Sequence, residues 1–576
     1  MIFSVNFDKE NLIPLSEYPR PQFKRESYLC LNGFWDYKIE ENGAVVSEGK
    51  INVPYSPESD LSGVYRQLKK TETLTYSRTF ILPSDFNKGV ILLNFGACDQ
   101  ETIVYLNGKK VGENFGGYLP FTFDITTYLI EGENSLKVVV KDDADSDVYG
   151  RGKQTYKRGG IWYTATSGIW QTVFLESVPK NYLKSVKLTP NYDDKTLTVI
   201  AETVGNSSNI TVEVVNDNEV ICSASGQKEV TLDVSSCKEW NLDAPELYKV
   251  FISLGEDRVE SYFGLRKFSV IEKGGYKLFA LNDKPIFNNG LLDQGYYYKG
   301  LYTPESNESM YKDVLTAKNL GYNMLRKHIK VEPLLWYYYC DVLGVLVWQD
   351  MINGGAKYKA HRIMLAPFIN LHLDDTNYKS MGRSEKSRQQ YYKEAYGLQD
   401  LLYNSVSVCV YTPFNEAWGQ FDAVEVTKRL QNRDSSRLYD HASGWQDKGA
   451  GDFCSRHIYF RKARIKNDNK RILALTEFGG YSLQVKGHVF SDKKFGYKFY
   501  KTNPALQEAY QKLYESEIIP LITKQGLCAT VYTELTDVED EVNGILTFDR
   551  ELKLNAEFLR KLNSKIYQVF DEKFNN

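Results

Sequence analysis

The sequence lacks any segment that would direct the chain into or across a membrane. Its first ten residues, Met1 to Glu10, contain neither a basic stretch nor an apolar one, which argues against a secretory signal peptide. No apolar run is long enough to span a bilayer. We therefore expect a cytoplasmic protein without a membrane partner.

An excess of charge of one sign is also missing. The net charge of -3 argues against nucleic acid or an anionic membrane surface as a partner. The eight cysteines are scattered along the chain and show no CxxC spacing. Cys222 and Cys237 could pair, but reduced thiols are the expectation for a cytoplasmic protein.

Length and composition describe an ordinary globular protein with several cores. At 576 residues the chain is too long for one hydrophobic core and predicts two to four domains. Hydrophobic residues make up 42% and charged residues 25%, as in soluble proteins. Aromatic residues reach 14%. Aromatic side chains stack on sugar rings, but most of them are expected to fill cores.

The first half of the chain predicts two antiparallel domains. Residues 1–178 are rich in strand-like runs, and Asn107-Gly108 between two such runs indicates a hairpin. We predict a jelly-roll-like β-sandwich of the sugar-binding type here, and an immunoglobulin-like β-sandwich over residues 179–271. Glu272 to Gly275 marks the predicted boundary that follows.

Residues 272–576 change to short apolar runs that alternate with helical segments, which predicts a (β/α)8 TIM barrel. The predicted helices include Glu308 to Leu320 and Asp422 to Leu430. Eight runs are predicted strands, and they end near Asn288-Asn289-Gly290, Arg326-Lys327-His328, Trp348-Gln349-Asp350, Asn415-Glu416, His441-Ala442-Ser443, His457, Glu477 and Tyr532-Thr533-Glu534. In such a barrel the functional site lies at the carboxyl ends of the strands.

Glu416 and Glu477 stand out among the residues at these strand ends. Glu416 closes the fourth predicted strand, directly after Asn415, and Glu477 closes the seventh. Two carboxylates that face one another across a barrel mouth are the minimal machinery for cutting a glycosidic bond. The alternative is that both glutamates form ion pairs with Arg326 or Lys327 in the barrel rim.

Short motifs along nearly the whole chain resemble one enzyme family. They are Leu31-Asn32-Gly33-Phe34-Trp35, Ser167-Gly168-Ile169-Trp170-Gln171, Phe263-Gly264-Leu265-Arg266-Lys267, Asn323-Met324-Leu325-Arg326, Phe414-Asn415-Glu416 and Thr476-Glu477-Phe478-Gly479. In this order and spacing they resemble the three-domain enzymes of glycoside hydrolase family 2, which includes β-galactosidases, β-glucuronidases and β-mannosidases.

The resemblance implies roles for four residues. It implies that Glu416 is the acid/base and Glu477 the nucleophile of a retaining mechanism. Asn415 would bind the 2-hydroxyl of the sugar, or else cap the strand end. Arg326 would orient the nucleophile and keep it ionised, which does not exclude a structural ion pair.

Further substrate-binding candidates lie near the predicted strand ends. His328 and His457 are read as sugar-hydroxyl ligands or as structural residues, whereas His441 is read as structural. Asp350 would bind a hydroxyl or anchor a loop. The resemblance implies that Tyr459 hydrogen-bonds the nucleophile. The candidates for stacking on the sugar are Trp418, Trp445 and Tyr532.

We therefore predict a retaining, exo-acting β-glycosidase, most similar to β-galactosidases, that acts on a β-linked glycoside or oligosaccharide. The loops, including Tyr296-Tyr297-Tyr298 and the stretch from Arg151 to Trp162, are expected to crowd the barrel mouth into a pocket. The alternatives are β-mannosidase, β-glucuronidase or arabinosidase specificity, or a non-catalytic carbohydrate-binding protein. A homo-oligomer is left open.

Neither a metal nor another cofactor is expected. A metal-dependent hydrolase barrel would have a close histidine pair after its first strand, and Asn288-Asn289-Gly290 stands there instead. Such a hydrolase, using histidines at other strand ends, remains the alternative from a different class.

Overall fold

The structure is a computed structural model that describes residues 13–206, 209–357 and 373–575. Its first part is a β-sandwich with a six-stranded and a four-stranded sheet. In sheet order, the six strands are Ala44–Val53, Gly33–Glu41, Glu72–Ile81, Glu133–Lys141, Glu101–Leu106 and Lys109–Phe115. The four are Leu29–Cys30, Val173–Val178, Val90–Phe95 and Phe121–Asp124.

Local sequence explains this sandwich well. Along Glu133–Lys141 buried and exposed side chains alternate, as expected for a strand with one face on the core. The predicted hairpin is present, since Glu101–Leu106 pairs with Lys109–Phe115. Asn107 and Gly108 have φ angles of 50° and 80°, the left-handed conformation that a tight hairpin turn requires.

A smaller β-sandwich follows. One sheet contains Tyr182–Asn191, Thr196–Val204 and Glu229–Asp233. The other contains, in sheet order, Glu219–Gly226, Ile210–Asn216, Tyr248–Leu254 and Asp257–Phe263. A three-stranded sheet of Phe268–Lys273, Tyr276–Leu281 and Lys284–Pro285 then leads into the barrel. The domain limits at 178/179 and 271/272 stay predictions.

Eight parallel strands form the barrel. In chain order they are Asn288–Asp293, Met324–Lys327, Leu346–Asp350, Val408–Thr412, Leu438–Tyr439, Phe453–Ile458, Ile472–Gly479 and Leu527–Thr533. Their hydrogen-bonded order is 5-4-3-2-1-8-7-6. The fifth and sixth strands meet where the Asp452 amide donates to the Tyr439 carbonyl at 2.8 Å. These sheets confirm the predicted fold class of two β-sandwiches and a TIM barrel.

The described helices of the barrel part are Asn307–Asn319, Leu334–Leu343, Tyr378–Met381, Glu385–Leu402, Ala423–Arg433, Asn503–Leu513, the π-helical turn Tyr514–Ile518, Ile519–Gln525 and Ala556–Phe574. The two helices predicted above are present within one to three residues of their expected limits. Ser306 explains where the first helix begins, because its side chain accepts a hydrogen bond from the Ser309 amide.

Two expectations about the chain as a whole can be compared with the structure. All eight cysteines are free thiols, so Cys222 and Cys237 do not pair. Of the helices in the described ranges, none has the length and apolar character needed to cross a membrane.

Asp341 connects the second sandwich to the barrel. It lies in the helix Leu334–Leu343, where its carboxylate accepts hydrogen bonds from the Tyr262 hydroxyl at 2.8 Å and the Ser407 amide at 2.7 Å. Its carbonyl accepts from the indole of Trp240 at 2.8 Å. Tyr262 and Trp240 belong to the second sandwich, and Ser407 directly precedes the fourth barrel strand.

We expect Asp341→Ala to destabilise the protein, because it removes the acceptor of the buried Ser407 amide and the carboxylate to which the Tyr262 hydroxyl donates. Each unsatisfied group costs about 1–3 kcal/mol of unfolding free energy. A lower Tm in circular dichroism measures the effect, and Asp243→Ala, at an exposed position of the second sandwich, is the control. Equal Tm values for both variants would contradict this role of Asp341.

Candidate active site

Glu416 is held in the barrel mouth by a strained turn. Glu416 and Ala417 have φ angles of 50° and 63°, a left-handed conformation that non-glycine residues rarely adopt. The Glu416 amide donates to the Ser443 carbonyl at 2.8 Å, and the Trp418 amide donates to the Asn415 carbonyl at 2.9 Å. These two bonds fix the turn, and the Glu416 side chain is left 7% exposed.

Glu477 lies within the seventh strand and is 4% exposed. Arg326 Nη1 donates to its Oε1 at 3.1 Å, and the Tyr459 hydroxyl donates to its Oε2. Tyr459 is itself held by Tyr497, whose ring stacks on it with centroids 3.8 Å apart and planes 5° apart. Both oxygens of Glu477 thus have defined donors.

His457 stands between the two glutamates. Its Nδ1 is 2.8 Å from Glu416 Oε1 and 3.6 Å from Glu477 Oε2. Its Nε2 is 2.9 Å from Ser443 Oγ, which orients the ring. One carboxylate oxygen of each glutamate and a ring nitrogen of His457 all lie within 4.8 Å of one another. The structure therefore brings the two predicted carboxylates together.

The surroundings shift the pKa values of the two carboxyl groups in opposite directions. Burial raises the pKa of Glu416, and the negative charge of Glu477 raises it further. Burial also acts to raise the pKa of Glu477, but the charges of His457 and Arg326 outweigh it and lower this pKa to about 2. Glu416 therefore keeps its proton to a higher pH than Glu477 does.

Arg326 is the centre of a buried network. Its Nε and Nη2 donate to the two oxygens of Asp350 at 3.0 and 3.1 Å. Nη2 also donates to Asn415 Oδ1 at 2.8 Å, and Nη1 to the Thr476 carbonyl at 3.0 Å. This bond occupies Asn415 Oδ1, whereas Asn415 Nδ2 has no partner in the described part of the chain. Asn415 is thus oriented with one donor available.

The structure corrects the expectation that Asp350 binds a sugar hydroxyl. Asp350 is completely buried, and its oxygens accept bonds from Arg326 and from His328 Nδ1 at 2.7 Å. Its position suits it to orient these two residues. Burial and the nearby Lys153 ammonium lower the pKa of His328 to about 4, so the His328 ring is neutral at pH 7.

The three stacking candidates have different surroundings. Trp418 stacks on Trp162 of the first sandwich, with centroids 5.1 Å apart. Trp445 is half-buried beside His457, with ring centroids 5.7 Å apart. Tyr532 is 1% exposed and packs in the core, 4.7 Å from the ring of Tyr510. The stacking role expected for Tyr532 is therefore wrong.

A first-sandwich segment crosses the barrel mouth and brings Lys153 to it, a residue of the stretch from Arg151 to Trp162 that the sequence analysis expected there. The amides of Arg151 and Gly152 donate to the Asn353 carbonyl, each at 3.0 Å. At its other end, the Thr164 amide donates to Glu539 Oε1 at 3.0 Å. Lys153 lies between these anchors. Nothing in the local sequence distinguishes it from Lys157, since only the tertiary contacts bury it.

Directly after the eighth strand, Glu534 is completely buried. His441 Nε2 accepts a hydrogen bond from the Lys448 amide at 2.8 Å, and the structural role expected for His441 stays a prediction.

Glu416, His457 and Glu477 are also the one set of three potential metal ligands within the described residues. A cation bound there would compete with Arg326 and Tyr459 for the oxygens of Glu477. The hydrogen-bond donors already in place balance these carboxylates without an ion.

Two family models match the sandwiches. The model described as glycosyl hydrolases family 2, sugar binding domain, matches residues 51–179, and the model described as glycosyl hydrolases family 2 matches residues 181–266.

Curated relatives extend the similarity into the barrel. The chain is 26% identical over 369 residues to a putative beta-glucuronidase of Formosa agariphila, covering 59% of this chain and 43% of the relative. It is 24% identical over 446 residues to a beta-galactosidase of Priestia megaterium, covering 72% of this chain and 41% of the relative. The chain spans less than half the length of these relatives.

Solved structures share the fold over nearly the whole chain. A beta-glucuronidase from an uncultured Clostridium species superposes with a TM-score of 0.75 at 19% identity, covering 94% of this chain and 99% of that chain. A beta-galacturonidase from Eisenbergiella tayi bound to galacturonate gives a TM-score of 0.71 at 17% identity, covering 95% and 99%. These similarities support the fold class predicted from the sequence.

We expect Arg326→Met to destabilise the protein more at pH 7 than at pH 4. The Arg326 contribution through Glu477 is fully present above the unfolded-state pKa of about 4.3 and is lost as the pH falls towards the folded-state pKa. Removing one partner of a buried ion pair costs about 3–5 kcal/mol at pH 7. In the variant, the orphaned carboxyl groups relieve part of this cost by taking up protons at pH 4.

The measurement is the Tm difference between wild type and variant at the two pH values. Arg429→Met, which removes the partner of the exposed Glu425, serves as the control and should show a much smaller pH dependence, because solvent screens exposed ion pairs. A Tm difference for Arg326→Met that is the same at both pH values would contradict the proposed coupling to Glu477.

Proposed function

We propose that this chain, which belongs to glycosyl hydrolases family 2, is an exo-acting retaining β-glycosidase. Its substrate class would be β-linked glycosides or oligosaccharides, cleaved at a terminal sugar. Glu416 would act as the acid/base and Glu477 as the nucleophile.

The observation that carries the proposal is the pair of buried carboxyl groups with oxygens within 4.8 Å of one another. Inverting glycosidases keep their two carboxyl groups about 6.5–9.5 Å apart to admit a water molecule, whereas retaining enzymes keep them about 5–5.5 Å apart. The short separation supports double displacement. A protein that only binds carbohydrate has no use for two facing carboxyl groups with opposite pKa shifts.

In the first step, ionised Glu477 would attack the anomeric carbon while Glu416 gives its proton to the leaving oxygen. This breaks the glycosidic bond and forms a glycosyl-enzyme ester on Glu477. In the second step, Glu416 would remove a proton from water as the water oxygen attacks the anomeric carbon and Glu477 leaves. After the first step Glu416 is ionised and Glu477 is a neutral ester. After the second step Glu416 is protonated again and Glu477 is ionised again.

The neighbours of the pair support these two steps. Arg326 and the Tyr459 hydroxyl hold Glu477 ionised and aimed, and they would also stabilise the carboxylate as it leaves. The unpaired Nδ2 of Asn415 would donate to the 2-hydroxyl of the sugar, a contact that strengthens in the transition state. The Nδ1 of His457 faces both carboxyl groups, so a change in the charge of one group would change the hydrogen bond that His457 offers to the other.

The covered mouth supports action at chain ends. The segment from Arg151 to Thr164 is attached after the third barrel strand at Asn353 and after the eighth strand at Glu539. A polysaccharide would need a groove open at both sides, and this segment closes one side.

Tyr296, Tyr297 and Tyr298 were expected to narrow the pocket, and their positions differ from one another. Tyr296 and Tyr297 are buried in the core, and Tyr298 is largely exposed against Phe548. Tyr296 packs against the segment from Arg151 to Thr164, with its ring centroid 4.9 Å from that of Tyr163.

For the sugar itself we favour β-galactosidase-like specificity. The beta-galactosidase of Priestia megaterium aligns with 72% of this chain, which includes residues well beyond the two sandwiches. The putative beta-glucuronidase of Formosa agariphila makes a uronic acid the competing candidate.

We expect the product to be a monosaccharide that first appears as the β anomer. Proton NMR during digestion of a β-linked oligosaccharide measures both properties at once, because anomeric signals report configuration and chain length. Retention follows from the close carboxyl groups, and early monosaccharide follows from the covered mouth. A first-formed α anomer would refute double displacement, and early internal fragments would refute action at chain ends.

The variants Glu416→Ala and Glu477→Ala should differ in their response to azide. Loss of the acid/base should slow cleavage of a poor leaving group by about 10²–10⁴-fold and activated aryl glycosides much less. Azide should then yield a glycosyl azide of retained configuration from Glu416→Ala and of inverted configuration from Glu477→Ala. Both products are identified by NMR.

Glu425→Ala, on the exposed face of the helix that follows the fourth strand, is the matched control and should keep wild-type rates. If azide gives the same product with both active-site variants, the assignment of the two roles is wrong.

A further inference from the structure

The loops after the sixth and seventh barrel strands carry an excess of positive charge. Residues 459–470 and 480–501 contain ten lysines and arginines, all of them exposed, and only two acidic residues, Asp468 and Asp492. The whole chain, by contrast, holds 71 basic and 74 acidic residues. None of the ten cations forms an ion pair with a residue of the described ranges. The fold therefore does not neutralise the charge of these two loops.

A large apolar side chain adjoins these cations. Phe460, in the loop after the sixth strand, is 63% exposed and directly precedes Arg461 and Lys462. Its ring centroid lies 5.4 Å from that of Tyr497, which directly precedes Lys498 in the loop after the seventh strand. An exposed aromatic ring can stack on the apolar face of a sugar. The two loops thus present a ring and several cations side by side.

Ring contacts connect Phe460 with the reacting groups. Tyr497 contacts Phe460 and also stacks on Tyr459, with centroids 3.8 Å apart. The Tyr459 hydroxyl donates to Glu477 Oε2. One ring therefore separates Phe460 from the tyrosine that contacts the nucleophile, so the charged loops are continuous with the active site.

The open side of the barrel mouth faces the same loops. The segment from Arg151 to Thr164 forms hydrogen bonds and ring contacts with the loops after strands one, three, four, seven and eight, at Tyr296, Asn353, Trp418, Phe490 and Glu539. In the described ranges it forms none with the loops after strands five and six. The leaving part of a substrate bound at the two glutamates therefore emerges on this side, next to Phe460.

We propose that Phe460, Arg461, Lys462 and Lys498 form a subsite for the leaving part of the substrate, and that this part is a glycan with carboxylate or sulfate groups. The inference rests on the proposed function. Phe460 would stack on the first sugar beyond the cleaved bond, and the three cations would bind the acidic groups of the glycan. The terminal sugar that is cleaved off contacts the carboxyl pair and does not use this subsite.

An acidic glycan accounts for the ring, the charge and their position together. The positive loops would attract an acidic substrate from a distance and raise its concentration at the mouth. Single-stranded nucleic acid also binds surfaces that combine rings and cations. A glycan is favoured because this surface adjoins the two carboxyl groups proposed to cleave a glycosidic bond.

The test first identifies the terminal sugar with a panel of nitrophenyl β-glycosides. This sugar is then supplied as its methyl β-glycoside and as three disaccharides, in which it is β-linked to galactose, to galactose 6-sulfate or to galacturonic acid. The quantity measured is kcat/KM, because it includes the step in which the leaving part departs. The two acidic disaccharides distinguish recognition of a sulfate from recognition of a carboxylate.

The charge variant combines the substitutions Arg461→Gln, Lys462→Gln and Lys498→Gln. Its control removes the same charge from exposed positions of the two sandwiches, with the substitutions Lys88→Gln, Lys180→Gln and Lys228→Gln. All six side chains are exposed, so neither variant should disturb the fold. The neutral disaccharide reports whether the active site is intact in each of them.

We expect wild type to show a kcat/KM about tenfold higher on an acidic disaccharide than on the neutral one, as several exposed charge pairs together would give. This preference should shrink as the NaCl concentration rises from about 0.1 to 1 M, because the Debye length falls from about 10 to 3 Å. The charge variant should lose the preference and stay within about twofold of wild type on the neutral disaccharide. The control variant should keep the preference.

Phe460→Ala should lower kcat/KM by about 3- to 10-fold on all three disaccharides, the size of a ring-stacking contact. It should stay within about twofold of wild type on the methyl glycoside, which has no second ring to stack. Phe34→Ala is the control, since Phe34 is 72% exposed on the first sandwich, and it should change none of the four values.

Equal kcat/KM of wild type on neutral and acidic disaccharides would overturn the subsite and leave the proposed glycosidase function standing. A control variant that loses as much of the preference as the charge variant would overturn it as well. Binding of a single-stranded oligonucleotide that the charge variant loses, with unchanged kinetics on the disaccharides, would assign the surface to nucleic acid instead. If wild type hydrolyses no glycoside of the panel, the proposed function fails and the subsite fails with it.

Discussion

The arrangement of the active site depends on one buried guanidinium. Arg326 has five N–H donors, and each of them has an acceptor: two on Asp350, and one each on Asn415, the Thr476 carbonyl and Glu477. These acceptors lie on or directly after strands three, four and seven, so a single side chain sets the spacing of three barrel elements. A planar group with fixed donor directions can do this, whereas a lysine ammonium at the same place could not.

The same network produces the difference between the two glutamates. A buried acid beside another acid holds its proton more tightly, and Glu416 is in that situation. Glu477 is equally buried, but the guanidinium and the His457 ring stabilise its ionised form. The proposed assignment of acid/base and nucleophile rests on the observation that Arg326 contacts Glu477. The Nδ1 of His457 lies near both groups.

Residues at strand ends could be predicted from the sequence. The direction in which a side chain of a fully buried strand points could not. Apolar runs predicted all eight barrel strands, and the residues at their ends include Glu416, Glu477 and Arg326, which the structure brings together. Tyr532 was placed wrongly because every residue of Leu527–Thr533 is buried, so alternation does not tell which side chains face the barrel mouth. Asp350 was expected to contact sugar because its position was predictable, but its two hydrogen-bond partners were not.

Lys153 shows a different limit of prediction. It lies in the first sandwich, far from the glutamates in sequence, and its burial results from contacts that attach the crossing segment to both sides of the barrel mouth. Long-range contacts of this kind leave no periodic pattern. Motifs at the barrel strand ends therefore reveal Glu416 and Glu477, whereas no motif reveals which residue of the first sandwich lies beside them.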